Sequence, residues 1–258
     1  ETCVAVGIVE NALALFYDRP LAKYLDVIEK TLLNHMVGSL ERSGADLAYY
    51  QGNYGRKIYR TAGGMYQCCR YRGFTLFSYL PQMAYYYKDG VLIPMIYTPS
   101  VFKTQELSCK LTTEYPAKGI LKFDIENTSE MTLRLRIPAW CEKSALFVNG
   151  QPLNTESKNG YIDVKLSVGS HEILLELLEE IRVMRHLIDD KRYLSVEYGP
   201  LLMAHDTHFG SELWQPISPE AIPCLCEAKG IELLRMEADG ITLVDFASAG
   251  GNDPENDL

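Results

Sequence analysis

The chain has 258 residues, 47% of them hydrophobic, and a net charge of −9. That is enough apolar material for one large or two ordinary cores. The acidic balance excludes a nucleic-acid partner, because Arg70 and Arg72 alone do not make the concentrated basic surface that phosphates require, and no apolar run approaches the roughly eighteen residues of a membrane helix.

The opening "ETCVAVGIVE" has neither a Met nor the basic start of a secretion signal and reads as the interior of a longer protein. The seven cysteines are odd in number and include an adjacent pair, a poor disulfide framework. A reduced, cytoplasmic protein is expected, with an upstream signal peptide as the alternative. A helix is predicted from about Cys3 to Tyr17. A second is predicted over 20–36, where Leu21, Tyr24, Leu25, Ile28, Leu32 and Met36 recur at helical spacing behind Asp18 as a cap and Pro20 in the first turn. The two form a hairpin about "DRP". A third, aromatic helix is predicted over 74–87, opened or interrupted near Pro81.

Between them lies a polar loop, 41–67, carrying Tyr49, Tyr50, Tyr54 and Tyr59. Loop tyrosines offer sugars a flat face and a hydroxyl; they equally pack a loop onto its helices. From about residue 91 the pattern changes to short strands: "LKFDIEN", "LRLRIPAW", "SALFVNG", "GYIDVKL" and "HEILLELLEE", separated by "NTSE", "NGQP", "SKNG" and "SVGS". This is the rhythm of an all-β sandwich. No internal repeat is visible, and the chain closes on the acidic, Gly-rich "SAGGNDPENDL".

Four residues carry candidate chemistry. In an extended segment Glu1 and Cys3 project to one side, so a carboxylate and a thiolate could share an ion. Cys68 and Cys69 complete a set of four if the backbone turns tightly, which Gly63, Gly64 and Gly73 would allow. Three sulfurs and an oxygen suit tetrahedral zinc; the same residues can also be small buried cysteines. Cys224 and Cys226 lack a second pair. His205 and His208 lack the spacing of a helical metal site, and His35, His171 and His186 are isolated. No GxSxG elbow, phosphate loop or GxGxxG is present.

Taken in order, "ETC" (1–3), "YLDVIEKTLLN" (24–34), "CC" (68–69), "LRLRIPAW" (133–140), "VNG" (148–150), "GY" (160–161) and "YGPLLMA" (198–204) make the chain resemble the C-terminal portion of β-L-arabinofuranosidases of glycoside hydrolase family 127, or the related family 146. The resemblance implies an α+β multidomain chain. Residues 1–90 would be the last helices of a catalytic (α/α) barrel, and 91–258 an antiparallel β-sandwich region of one or two subdomains with its final strand incomplete. It implies a zinc ion on Glu1, Cys3, Cys68 and Cys69, Cys68 as the nucleophile of a retaining enzyme, and a carbohydrate substrate. The acid/base glutamate of that family lies upstream of Glu-x-Cys and has no counterpart here. The family's cysteine pair is commonly followed by an Asn three residues on and an Arg beyond it, where "CCRYRGFT" has Arg72 and Thr75, so the sugar stays open. A homo-oligomer is compatible with this reading. Two rivals are a non-catalytic carbohydrate-binding or structural β-sandwich, if the cysteines lie apart, and a zinc-stabilised interaction domain, if no sugar-sized opening adjoins Cys68.

Overall fold

A computed structural model describes residues 1–41, 44–52, 67–188, 191–206, 217–218, 220–230 and 232–250. Tyr54, Tyr59, Gly63, Gly64 and His208 lie outside them. The chain divides into two units, one of Glu1–Asn11, Ile28–Phe77 and Ile181–Leu258, the other of Ala12–Val27 and Ser78–Glu180.

Helix α1 runs Thr2–Asp18 and buries Ala5, Val6, Val9, Ala12 and Phe16 on one face. Asp18 is its last residue and not the cap of the next helix; Pro20, which cannot continue a helix and disfavours helical backbone before it, ends it there. Helix α2 spans Ala22–Lys30, so Leu21 stands outside it and exposed, while Leu25 and Ile28 are buried as their spacing predicts. The helix then widens into a π turn, Thr31–Met36, and closes with α3, Val37–Ser39. A π turn fits one more residue into each turn than α spacing does, and so changes which side chains face inward. Leu32, Asn34 and Met36 are buried here.

Asn34 is the polar member of that set. Its amide nitrogen donates to Lys30 O (2.8 Å) and Pro200 O (2.9 Å), and its oxygen accepts from Leu202 N (2.7 Å). Beside it Lys30 and Arg182 both reach the buried Glu197, at 2.6 and 2.7 Å. These bonds fasten the 28–39 stretch to an antiparallel sheet in the same unit. The sheet comprises β11 (Ile181–Ile188), β12 (Lys191–Tyr198), β13 (Leu201–His205), β14 (Cys224–Cys226), β15 (Arg235–Ala238) and β16 (Ile241–Asp245), ordered β11-β12-β13-β16-β15-β14. Val196, Met203, Met236, Ala238, Ile241 and Leu243 make its core.

Helix α4 covers Gln67–Tyr79, starting well before residue 74, and passes into a 3₁₀ turn, Leu80–Met83, that contains Pro81. The predicted helix over 74–87 fails beyond that point: Tyr85–Lys88 is strand β1, paired with β2 (Val91–Pro94) across Asp89 and Gly90, both at positive φ. Asp-Gly between apolar runs is a hairpin signal, and three tyrosines in a row suit a strand.

Two sheets of the second unit continue from here. One is ordered β1-β2-β6-β9, with β6 at Met131–Arg136 and β9 at Tyr161–Leu166. The other is ordered β3-β4-β5-β10-β7-β8, with β3 at Ser100–Lys103, β4 at Leu107–Thr113, β5 at Ile120–Asn127, β7 at Ser144–Val148, β8 at Gln151–Pro152 and β10 at Gly169–Leu177. Alternate residues are buried along β4, β5 and β9, as expected for a sandwich. Tyr85 of β1 touches Phe102 of β3 at 5.4 Å between ring centroids and shares a hydrogen bond with Ser100 (2.9 Å). Every predicted strand segment between 121 and 180 contains a strand; "LRLRIPAW" leaves the sheet after Arg136. The described chain is thus mostly β-sheet with few helices, and its sheets are sandwich-like.

At the end of β6 the side chain of Arg136 is 0% exposed. It forms an ion pair with Asp26 of α2 (2.6 Å) and lies over the Tyr97 ring (5.3 Å), whose hydroxyl donates to Arg136 O (2.6 Å). Gly160 closes the same junction: a Cβ there would fall 2.6 Å from Ala22 Cβ, and its φ of +79° independently favours glycine.

Removing one partner of a buried ion pair strands the other charge. Asp26→Ala is therefore expected to cost about 3 kcal/mol in urea unfolding, and an Asp26→Leu/Arg136→Met double variant to recover most of it. A loss below about 1 kcal/mol from Asp26→Ala would show that Asp26 does not satisfy the guanidinium. In β4, burial pushes the Cys109 thiol from its ordinary value near 9 up to about 12. The unfolded chain releases this proton first, so stability falls as pH rises from about 9 towards 12. Unfolding measured between pH 7 and 10 should show that decline, and Cys109→Ala should make it shallower.

Candidate metal centre

The carbonyl of Glu1 accepts from Val4 N (3.0 Å) and Ala5 N (3.4 Å), so Cys3 lies in the first turn of α1 and not in an extended segment. Cys68 and Cys69 lie in the first turn of α4 and not in a loop. Adjacent side chains diverge by about 100° on a helix, against nearly 180° on a strand, so both sulfurs can approach one point without a glycine turn. Two helix starts meet here. The positive end of the α1 dipole lies at the cluster, a setting that favours anionic sulfur, while the Thr2, Val4 and Ala5 N–H groups are taken by Tyr49 O and Glu1 O.

The ligand atoms of Glu1, Cys3, Cys68 and Cys69 all lie within 4.8 Å of one another. Cys69 is buried, Cys3 half-buried and Cys68 exposed. Cys69 Sγ lies 3.6 Å from a Glu1 carboxylate oxygen, to which it donates. Burial, reinforced by the hydrogen bond with Cys3, pushes the Cys69 thiol up to about 12, and burial also raises Cys3. The Cys69 and Cys3 thiols are therefore neutral as they stand, and a cation beside them is what would ionise them together. The donor set suits zinc: sulfurs about 2.3 Å from a tetrahedral ion lie about 3.8 Å apart, within reach of the observed cluster.

Tyr49 stands in the field of this cluster. Its hydroxyl is pushed up to about 12, first by loss of solvent and then by the Glu1 carboxylate. Its ring meets that of the exposed Tyr50 edge-on at 4.5 Å. The structure thus brings two of the four loop tyrosines to one place. Arg72 and Thr75 are occupied elsewhere: Arg72 pairs with Glu10 of α1, and the Thr75 hydroxyl donates to Tyr71 O (2.7 Å).

The weaker candidates stay apart. Cys224 and Cys226 sit two apart on β14, and among the described residues no third ligand joins them. His205 ends β13, while His171 bonds Ser167 O (2.8 Å) and His186 bonds Ser195 Oγ (2.7 Å). No helix among the described residues is long and apolar enough to cross a membrane.

Two family models match the chain in order: "Beta-L-arabinofuranosidase, GH127 catalytic domain" over residues 1–82 and "Beta-L-arabinofuranosidase, GH127 middle domain" over 92–177. A relative named non-reducing end β-L-arabinofuranosidase, from Bifidobacterium longum subsp. longum, is 24% identical over 83% of this chain and 36% of its own length. Among solved structures, a GH127 β-L-arabinofuranosidase from Geobacillus stearothermophilus T6 superposes with a TM-score of 0.83 at 16% identity, covering 98% of this chain and 48% of that one. A further GH127 β-arabinofuranosidase gives a TM-score of 0.80 at 20% identity, covering 97% of this chain and 47% of that one. The chain thus spans about a third of the curated relative and about half of the solved structures it matches. With catalytic and middle domains both matched, in order, over roughly two thirds of its residues, the chain belongs to glycoside hydrolase family 127.

Proposed function

We propose that this chain is part of a retaining glycosidase that releases β-L-arabinofuranose, with zinc held by Glu1, Cys3, Cys68 and Cys69 and with Cys68 as the nucleophile. The observation that carries the reading is a convergent set of four donors in which one sulfur of the adjacent pair is exposed and the other buried. Cys69 is thereby suited to holding an ion and Cys68 to meeting a substrate. Bound zinc would supply ionised sulfur at neutral pH.

Cys68 Sγ attacks the anomeric carbon and displaces the leaving oxygen, which takes a proton from a carboxylic acid. The sugar is then held on Cys68 by a carbon–sulfur bond. The same carboxylate takes a proton from water, whose oxygen displaces the sulfur, and two inversions give net retention. Glu1 is committed as a ligand in this scheme. We assign the acid/base to a part of the protein outside these residues, in keeping with a chain that spans 36% of its curated relative. In the same reading residues 1–90 belong to a helical catalytic barrel and 91–258 to the β-sandwich region. The apolar Val4, Ile8 and Leu15, exposed on α1 opposite its buried face, are what a helix covered on both sides would carry.

Cys68→Ser is expected to lower turnover of an aryl β-L-arabinofuranoside by the full-length protein by ~10³-fold or more, because a serine hydroxyl is not ionised at neutral pH. Cys69→Ser should lower its zinc content, read by elemental analysis. Near-normal turnover by Cys68→Ser would remove the nucleophile assignment. Bound zinc with no turnover by the wild-type protein would favour a zinc-stabilised interaction domain.

A further inference from the structure

We infer that Thr2 and Gly73 are positioning residues, which set the gap across which Glu1 and Cys3 face Cys68 and Cys69. The inference rests on the metal-centre reading above. Thr2 lies between two of the proposed ligands and is 0% exposed. Its hydroxyl donates to Ala48 O (2.6 Å) and its N–H to Tyr49 O (3.0 Å). The start of α1 is therefore pinned at two successive carbonyls, one residue away from each ligand it offers.

Helix α4 leans on the same short segment from its own side. Arg70, directly after Cys69, pairs with Asp46 (3.5 Å) and donates to Ala45 O (3.3 Å). One turn from Cys69, Gly73 lies against the fully buried Leu47: a Cβ at Gly73 would overlap Leu47 Cδ1 and stand 3.6 Å from Thr2 Cγ2. Residues 45–49 thus form a shim between the two helix starts. The shim is itself held in place, with Ala48 N donating to Ser39 O (2.8 Å) and Asp46 O accepting from Glu41 N (2.9 Å). Besides the shim, the helices meet directly through the Arg72–Glu10 pair farther along α1 and, among the proposed ligands themselves, through the Cys69–Glu1 hydrogen bond (3.6 Å). Metal–ligand distances tolerate only about 0.2 Å of displacement, so whatever fixes the thickness of this shim fixes the quality of the centre.

Cobalt(II) titration of the protein tests this, because thiolate-to-cobalt charge-transfer and ligand-field bands report ligand geometry without reference to activity. Thr2→Val, which keeps the shape but loses the hydroxyl, and Gly73→Ala are expected to weaken cobalt binding about 10- to 100-fold and to shift the bands. Thr2→Ser should behave as wild type. Leu47→Ala combined with Gly73→Ala should restore affinity by making room for the added methyl, which a mere loss of stability would not do. Asn34→Ala, which loosens the same unit away from the centre, should leave the cobalt spectrum unchanged. Wild-type affinity and bands in both Thr2→Val and Gly73→Ala, or equal damage from Asn34→Ala, would overturn the positioning role. A wild-type protein that binds cobalt without thiolate bands would instead overturn the metal-centre reading, and the positioning role with it.

Discussion

A carboxylate and three sulfurs within 4.8 Å of one another cannot all be ionised unless something positive lies among them. The positive end of the α1 dipole lies at the cluster, but the Thr2, Val4 and Ala5 N–H groups are already taken by Tyr49 O and Glu1 O, so the backbone there has little left to offer the sulfurs. The cysteine pair is divided. The buried Cys69 is held neutral by loss of solvent, whereas its exposed neighbour can be approached from outside.

Much of what makes the family recognisable is packing rather than chemistry. "YLDVIEKTLLN" meets "LRLRIPAW" at the Asp26–Arg136 pair and meets "YGPLLMA" through Asn34, whose amide bonds Pro200 and Leu202. The Gly of "GY" is the residue without a side chain against Ala22. Only "ETC" and "CC" supply donors to the cluster. A fold can therefore be inherited through such junctions while the sugar it accepts changes, because none of these junction residues lies in the cluster.

The strands were legible because alternation along β4, β5 and β9 directly mirrors burial of one sheet face, and the Asn-Gly and Gly-rich turns between strands mark where each ends. The start of α4 was not. "QCCRYRGFT" holds a glycine and few strong helix formers, and its helix rests on contacts with residues 45–49 that no local pattern reveals. The hairpin at Tyr85–Pro94 did carry a signal, Asp89-Gly90, masked by the apolar, aromatic run before it. The four candidate donors were legible as residue types. Their convergence was expected from the family resemblance, whereas spacing alone left buried cysteines open, because Cys3 and Cys68 are far apart in sequence and meet only through tertiary structure.

The π turn at Thr31–Met36 has a consequence for how this sequence can change in length. Such a turn is equivalent to a single residue inserted into an ordinary helix, retained where reverting would misplace a side chain. Deleting one residue here would restore regular α geometry and change the phase of the side chains inside the turn, while the helix beyond it kept its own. Leu32 would keep its place, but the amide of Asn34 would leave the gap between Pro200 and Leu202, and the carbonyl and N–H it satisfies would lose their partner. A length change that an exposed loop would absorb is therefore barred along this stretch, so homologous chains that share the Asn34 junction should share the extra residue as well.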